Sequence, residues 1–202
     1  ACRSWRSLGT DNGASFDKNE HFDISPVMPQ ISWGISPSQT TGITGSIPGT
    51  APTQATEYIG LKAKTSLEGI PIDYVFIGSC ANSRIEDLRA AANLVKGKKV
   101  AANVTAWVVP GSERVAEQAA TEGLDTIFKD AGFDWRLPSC SMCNAVNGDA
   151  VPPGKRAIST SNRNFIGRQG PNSRTHLGSP LTAAASAITG TFTDPRKFLA
   201  GS

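Results

Sequence analysis

The sequence predicts an α/β fold, in which a mostly parallel sheet is flanked by helices and preceded by an irregular N-terminal arm. From residue 71 onward, short apolar runs rich in β-branched and aromatic residues alternate with amphipathic segments at helical spacing. Such alternation favours parallel pairing. Residues 1–70 are instead rich in Gly, Pro, Ser and Thr, which favour turns. We therefore expect an α/β domain over residues 71–202 and an arm, or the end of a preceding domain, over residues 1–70.

The first part of the predicted domain contains a strand, a helix and a second strand. Residues 73–78 read DYVFIG, which is typical of a buried strand. Ser83 and Glu86 have the spacing of a capping box at the start of a helix. The second strand is predicted over residues 105–109, where TAWVV ends in front of a Pro-Gly pair.

Caps and apolar spacing predict the remaining elements. These are helices over residues 53–59, 112–123, 125–131 and 179–188, and a strand over residues 157–160. Ser112 and Ser179 are suitable N-caps, and Pro180 occupies the first helical position, where its missing N–H costs nothing. Gly60 should end the short helix of the arm.

The charge balance argues against two classes of partner. The chain carries 20 Lys and Arg against 17 Asp and Glu, a net charge of +3, without a run of five basic residues. This charge distribution lacks the basic patch that binding to nucleic acid or to an anionic membrane surface requires, although it would suit a small acidic substrate. Neither an apolar run of membrane-spanning length nor a signal-peptide pattern is present. We therefore expect a cytoplasmic protein without a membrane partner.

Three of the four cysteines occupy predicted loops of the α/β domain. Cys80 follows the first predicted strand and precedes a helix, whose N-terminal amides would stabilise a thiolate. Cys140 and Cys143 form a C-x-x-C pair in a later loop. Because sites in parallel sheets form at the carboxyl ends of the strands, we expect these three thiols to converge there.

Four interpretations of the cysteines remain open on spacing alone. Zinc would need a fourth ligand, and only His21, His176 and Cys2 are offered, at spacings unlike a finger or ribbon. A thioredoxin-like redox pair should lie where a strand opens a helix, and this pair does not. The thiols could also be unrelated and buried. Three thiolates would finally suit a cubane iron–sulfur cluster that leaves one iron without a protein ligand, since fully ligated clusters normally use four cysteines.

The residues around the cysteines carry a family resemblance. Residues 75–89 (VFIGSCANSRIEDLR) resemble the first cluster-ligand segment of the aconitase superfamily, and residues 140–143 (CSMC) resemble the second. Residues 159–170 (STSNRNFIGRQG) resemble its substrate-binding segment. Residues 174–177 (RTHL), the Ala-rich helix that follows, and residues 33–37 (WGISP) of the arm are similar to the large subunits of isopropylmalate dehydratases.

The resemblance implies a cofactor and a set of site residues. It implies one [4Fe–4S] cluster per subunit, held by Cys80, Cys140 and Cys143. It also implies substrate binding by Asn162, Arg163 and Arg168. Guanidinium groups suit this role because they form bidentate, charge-assisted pairs with carboxylates.

Other residues near these motifs receive a different interpretation. Cys2 matches no motif and is expected to be a bystander, and His176 is expected to be structural. Asn144 takes a place that is usually apolar in relatives, which could alter the affinity for the cluster.

The implied activity is that of a hydro-lyase. It would isomerise 2-isopropylmalate to 3-isopropylmalate by dehydration and rehydration, in leucine biosynthesis. Homoaconitate, a methylated malate or citrate are alternative substrates of the same class, and a non-catalytic metal- or RNA-binding module is an alternative of another class. The implied partners are a small hydroxy-dicarboxylate substrate and a small, swivel-domain subunit in a heterodimer. Relatives take their catalytic acids and bases from other segments, so this chain alone is expected to be inactive.

Overall fold

A computed structural model describes residues 9–79, 82–146 and 148–199. The strands are β1 (Gln30–Ser32), β2 (Thr40–Gly42), β3 (Tyr74–Ile77), β4 (Thr105–Val108), β5 (Asp134–Trp135), β6 (Arg156–Ser159) and β7 (Arg174–Leu177). The helices are α1 (Thr53–Ile59), α2 (Ile85–Val95), α3 (Glu113–Thr121), α4 (Leu124–Ala131), α5 (Pro180–Thr189) and α6 (Arg196–Leu199). A single 3₁₀ turn, Ser141–Cys143, ends at the second cysteine of the pair, and Cys140 directly precedes it.

The main sheet has five strands in the order β5-β4-β3-β6-β7, and all of its pairs are parallel. The central strand β3 aligns Tyr74 with Thr105 of β4 on one side and with Ala157 of β6 on the other. A parallel sheet is covered on both faces, which explains why β3 is apolar and why both β3 and β6 are largely buried. The predicted α/β fold with flanking helices is confirmed.

Helices cover the sheet through small and branched apolar side chains. α2 packs chiefly against α5, and it also contacts α4. The buried alanines of α5, among them Ala183, Ala184 and Ala187, allow the backbones of the two helices to approach closely. Leu88 and Ala91 of α2 fill the facing positions of the same core.

Two predicted helix caps are confirmed and one is wrong. The hydroxyl of Ser112 accepts from the backbone N–H of Val115 at 3.2 Å, and Ser179 caps α5 in the same way. The box predicted for Ser83 is displaced by one residue: the carboxylate of Asp87 accepts from the backbone N–H of Arg84 at 3.1 Å. The first helical carbonyl is that of Arg84, which accepts from the N–H of Leu88 at 3.1 Å, whereas the carbonyl of Ser83 accepts from the N–H of Gly111 at 3.0 Å in the loop before the helix.

The arm contains more regular structure than its composition predicts. β1 and β2 form a two-stranded antiparallel ladder, and α1 has the predicted bounds, with Gly60 in a left-handed conformation at its end. Ile31 forms an isolated bridge with Gly178, just after β7. Buried isoleucines of the arm, such as Ile31 and Ile43, belong to the same hydrophobic core as β3 and α2. The arm is therefore packed on the β7 edge of the sheet, and the predicted division at residue 70 stays a prediction.

Within the part of the chain that the structure describes, no helix is long and apolar enough to cross a membrane.

Candidate functional site

The first part of the site is the carboxyl edge of β3 and β6. Thr160, which follows β6, connects the two strands through its hydroxyl group: Oγ1 accepts from the backbone N–H of Gly78 at 2.9 Å and lies 3.1 Å from the carbonyl oxygen of Gly78. The side-chain amide of Asn82 donates to the carbonyl of Thr160. The loop after β3 and the loop after β6 are thus neighbours. The predicted ligand Cys80 lies outside the described residues, between Ser79 and Asn82.

The C-x-x-C pair lies against the same edge. Met142 is fully buried and packs in a small apolar cluster with Phe76 of β3 and Val109, which follows β4. Cys143 belongs to that cluster and is largely buried, whereas Cys140 is exposed. Both are free thiols. The buried methionine between them fixes the turn to the sheet, while Cys140 faces the surface.

Arg168 connects the predicted substrate-binding loop to the cysteine turn. Its Nε donates to the carbonyl oxygen of Cys143 at 2.8 Å, and its Nη2 lies 3.9 Å from the Sγ of the same residue. Its guanidinium lies 5.4 Å from the ring centre of Phe165. One of the three predicted substrate residues therefore contacts a predicted cluster ligand directly.

The other two predicted substrate residues are placed differently. Asn162 and Arg163 are exposed, and the Nη1 of Arg163 donates to the carbonyl of Asn162 at 3.0 Å. Neither has a hydrogen bond to the cysteine turn within the described ranges. Gly167, between the two arginines, has φ +78, a conformation that glycine adopts without a Cβ penalty. It turns the chain so that Arg168 points towards Cys143 while Arg163 stays at the surface.

The arm holds the arginine loop at two points. The buried side-chain amide of Asn164 donates to the carbonyl of Gly34 at 2.8 Å and to the hydroxyl of Ser32 at 3.1 Å. The hydroxyl of Tyr58 accepts from the backbone N–H of Gly167 at 2.9 Å. Sequence reasoning missed Asn164 and Tyr58, because nothing in the local sequence indicates that residues of the arm lie beside this loop.

Backbone strain is concentrated in the cysteine loops. Among the described residues, five non-glycine residues have positive φ, and three of them are Ser79 (φ 81), Ser141 (φ 46) and Ala145 (φ 56). Such conformations cost on the order of 1–3 kcal/mol and persist only where the surroundings impose them, typically at ligand sites. These three residues flank or separate the predicted cysteine ligands.

Buried polar atoms without partners lie in the same loops. Within the described residues, five buried side-chain atoms have no hydrogen-bond partner, and three of them are Ser79 Oγ, Ser83 Oγ and Asn144 Oδ1; the other two are Trp33 Nε1 and Asn164 Oδ1. An unsatisfied buried polar group costs about 1–3 kcal/mol and calls for an explanation. Orphaned groups beside thiols, in strained loops, fit a site that is completed by a bound polar group.

His176 is structural, and its environment keeps it neutral. Its Nδ1 donates to the carbonyl oxygen of Ser32 at 2.8 Å, and its Nε2 accepts from Arg156 at 2.6 Å, because a guanidinium can only donate. Burial, followed by the positive charges of Arg156 and Arg174, lowers the pKa of His176 to about 3. The histidine therefore joins β7 to the arm and is not a general acid or base at neutral pH.

In the parts of the chain that are described, no three His, Cys, Asp or Glu side chains are grouped so that they could hold a metal ion. The predicted trio includes Cys80, which is not among those residues. The structure therefore brings together Cys143 and Arg168 directly, and Cys140 through the turn. The assignment of Cys80, Cys140 and Cys143 as metal ligands stays a prediction.

Comparison with known proteins identifies the family. The model of the aconitase family (aconitate hydratase) matches residues 1–190. The chain is 52% identical over 206 aligned positions to the 3-isopropylmalate dehydratase large subunit 1 of Bradyrhizobium diazoefficiens. That alignment covers 97% of this chain and 43% of the relative, so the chain spans less than half the length of that protein. Because the family match extends over most of the sequence, the chain belongs to the aconitase family.

Proposed function

We propose that this chain is the cluster-binding part of a hydro-lyase large subunit, which isomerises 2-isopropylmalate to 3-isopropylmalate in leucine biosynthesis. Family membership and the 52% identity to a 3-isopropylmalate dehydratase large subunit support the reaction class and the substrate. The observation that carries the proposal is the contact between Arg168 and Cys143. It brings an arginine, which commonly binds carboxylates, to a cysteine, which commonly binds metals.

The residues present fit a [4Fe–4S] cluster with Cys80, Cys140 and Cys143 as its ligands. Iron–sulfur clusters are held by cysteine thiolates, and both described cysteines are free and lie on one turn. The orphaned polar atoms of Ser79 and Asn144 are in the segments next to these ligands, where hydrogen bonds tune a cluster. When bound, a cluster with one iron free of protein ligands supplies a Lewis acid for the departing hydroxyl group.

The arginine loop would bind the carboxylates of the substrate. Arg168 is half-buried and already oriented by Cys143 and Phe165, so little side-chain freedom remains to be lost on binding. Arg163 lies at the exposed end of the loop, where it can reach a second carboxylate without breaking a buried contact. Gly167 sets the turn between them, and Tyr58 holds its amide.

Further parts of the proposal concern what lies outside these residues. We propose a small-subunit partner, as the words "large subunit" in the relative's name suggest, and a cytoplasmic location. His176 is not proposed as the catalytic base, because its Nδ1 and Nε2 are both occupied by hydrogen bonds, with Ser32 and Arg156. We place the catalytic acid and base on other segments and on the small subunit.

Anaerobic reconstitution with iron and sulfide tests the cofactor. We expect a brown protein with about four iron and four sulfide per chain, and loss of the cluster in Cys80→Ser, Cys140→Ser and Cys143→Ser. Cys2→Ser is the matched control and should keep the spectrum. Stoichiometric zinc without iron uptake would overturn the proposal.

Turnover tests the substrate. A complete large subunit that contains these 202 residues, combined with the small subunit, should dehydrate 2-isopropylmalate faster than homoaconitate, a methylated malate or citrate. The unsaturated intermediate can be followed by its ultraviolet absorbance. A preference for another of these acids would leave the reaction class intact and refute the proposed substrate.

A further inference from the structure

The conformation of the C-x-x-C turn depends on a contact outside it. Ser141, between the two cysteines, is fully buried and has φ 46, in the left-handed region that a residue with a Cβ rarely adopts. Its hydroxyl donates to the Oδ2 of Asp149 at 2.7 Å. A hydrogen bond to a carboxylate is among the stronger ones in proteins, so this contact can hold the unfavourable backbone angle.

Asp149 is itself fixed to the sheet. Its Oδ1 accepts from the Nη2 of Arg136 at 2.9 Å, and its side chain is only 14% exposed. The backbone N–H of Arg136 donates to the carbonyl of Val108 in β4, and its guanidinium lies 4.1 Å from the ring centre of Trp107. The carboxylate of Asp149 is thus paired with the side chain of Arg136, which the sheet holds in place.

The same segment reaches the arginine loop. Val151, two residues after Asp149, donates its backbone N–H to the carbonyl of Gln169 at 2.7 Å. A Cβ on Gly170 would lie 2.4 Å from the carbonyl oxygen of Val151, so the two backbones approach as closely as only a glycine permits. The segment 149–151 therefore lies between the cysteine turn and the loop that carries Arg168.

We infer that Asp149 is a positioning residue for the metal ligands. Through Ser141, Asp149 holds the turn in the conformation that presents Cys140 and Cys143 to the cluster. Arg136 in turn fixes the carboxylate of Asp149 to the sheet. The inference rests on the proposed function, because these cysteines have a cluster to hold only if that proposal is right. Among the described residues, the side-chain hydrogen bonds of Asp149 are with Ser141 and Arg136 and not with a thiol, so its effect is on how long the iron stays bound.

The test compares the rate of iron loss to a chelator, measured anaerobically from the cluster absorbance of the reconstituted chain. Asp149→Ala and Ser141→Ala should lose iron about ten-fold faster than the natural sequence, since changes in such supporting contacts weaken metal binding by about 10–100-fold. Ser141→Gly should lie between Ser141→Ala and the natural sequence. Glycine adopts the positive φ without a Cβ penalty, although it cannot bind Asp149.

The matched control is Asp134→Ala. Asp134 is the other partner of Arg136, at 2.9 Å, but its side chain is 57% exposed and it has no hydrogen bond to the cysteine turn among the described residues. This variant should lose iron within about two-fold of the natural rate, because exposed ion pairs contribute little. Far-ultraviolet circular dichroism establishes that each variant is folded. If Asp149→Ala does not fold, the two Ser141 variants decide.

The outcomes separate this inference from the proposed function. If the natural sequence takes up no iron and sulfide, both fail. If it takes up a cluster and the Asp149 and Ser141 variants release iron at the natural rate, only the positioning role is refuted. An equal effect of Asp134→Ala would also refute it, because the role would then belong to Arg136 alone.

Discussion

The Nε of Arg168 lies 2.8 Å from the carbonyl oxygen of Cys143, although the two residues are 25 positions apart and belong to different loops. The contact joins the arginine loop, which follows β6, to the cysteine turn, which follows β5. Nε of the guanidinium group makes the hydrogen bond to the carbonyl oxygen, and Nη2 lies 3.9 Å from the Sγ of Cys143. A lysine could supply the charge of Arg168 but not these two directed donors.

The first prediction concerns Arg168 in the substrate-free protein. Arg168→Lys removes the hydrogen bond to Cys143, which contributes about 1 kcal/mol. Because that bond holds the backbone of a predicted ligand, we expect about five-fold faster loss of iron from the reconstituted chain. Arg163→Lys is the control, since Arg163 contacts Asn162 and not the turn. Equal iron loss from both variants would refute a role for the Arg168 contact.

The second prediction concerns carboxylate binding in the complete enzyme. Both Arg163→Lys and Arg168→Lys should lower specific activity by roughly ten-fold to a thousand-fold, because each loses a bidentate pair with a substrate carboxylate. Activity is measured per bound cluster, so that a loss of iron in Arg168→Lys does not count. Near-normal activity in both variants would show that these arginines do not bind the substrate.

The sequence predicts the parts of this fold whose signals are local. β3 has a continuous apolar run, and the helix after Ser112 has an N-cap hydroxyl, so both were recognised. β7 reads RTHL and was not predicted as a strand, because its alternation is weak and its pairing with β6 depends on residues far along the chain. β5 has only two residues, too few for any periodicity.

The same limit applies to the site. The position of the cysteines after predicted strands indicates that they lie at the carboxyl edge of the sheet, and the structure brings Arg168 of the predicted substrate-binding loop to Cys143. Asn164 could not be recognised, because its partner Gly34 lies 130 positions earlier. Asp149 could not be recognised either, because its role depends on the positive φ of Ser141, which no local sequence pattern predicts.

The third prediction concerns the pH dependence of stability. The pKa of His176 is about 3 in the folded chain, against an ordinary value of 6.5. Between these values the unfolded chain binds more protons, so the free energy of unfolding falls as the pH falls below about 6.5, by up to about 1.4 kcal/mol per pH unit. Above that pH the histidine is neutral in both states and has no such effect. Burial lowers the pKa of Arg156 to about 10, so this neighbour keeps its charge over the same range.

Urea unfolding at about pH 7 and about pH 5 measures this effect. His176→Gln cannot take up a proton, so its stability deficit relative to the natural sequence should shrink by up to about 2 kcal/mol at the lower pH. His21→Gln, at an exposed position, is the matched control. A deficit of His176→Gln that does not vary with pH would contradict the neutral, buried state.

The last prediction concerns Asn164, which ties the arginine loop to the arm. Its amide is the donor to two buried acceptors, the carbonyl of Gly34 and the hydroxyl of Ser32. Asn164→Ala leaves both without that donor, and we expect the free energy of unfolding to fall by about 2 kcal/mol. Asn164→Asp has nearly the same shape but places a carboxylate beside the Gly34 carbonyl, so its loss should be larger. Asn162→Ala, an exposed position in the same loop, should change stability by less than about 0.5 kcal/mol.

Trypsin cleavage after Arg163 and Arg168 under native conditions measures the opening of the loop directly, because a loop released from the arm opens more often. It should accelerate in Asn164→Ala and not in Asn162→Ala, and unchanged cleavage in Asn164→Ala would mean that the contacts of Tyr58 and Cys143 hold the loop without the arm's Gly34.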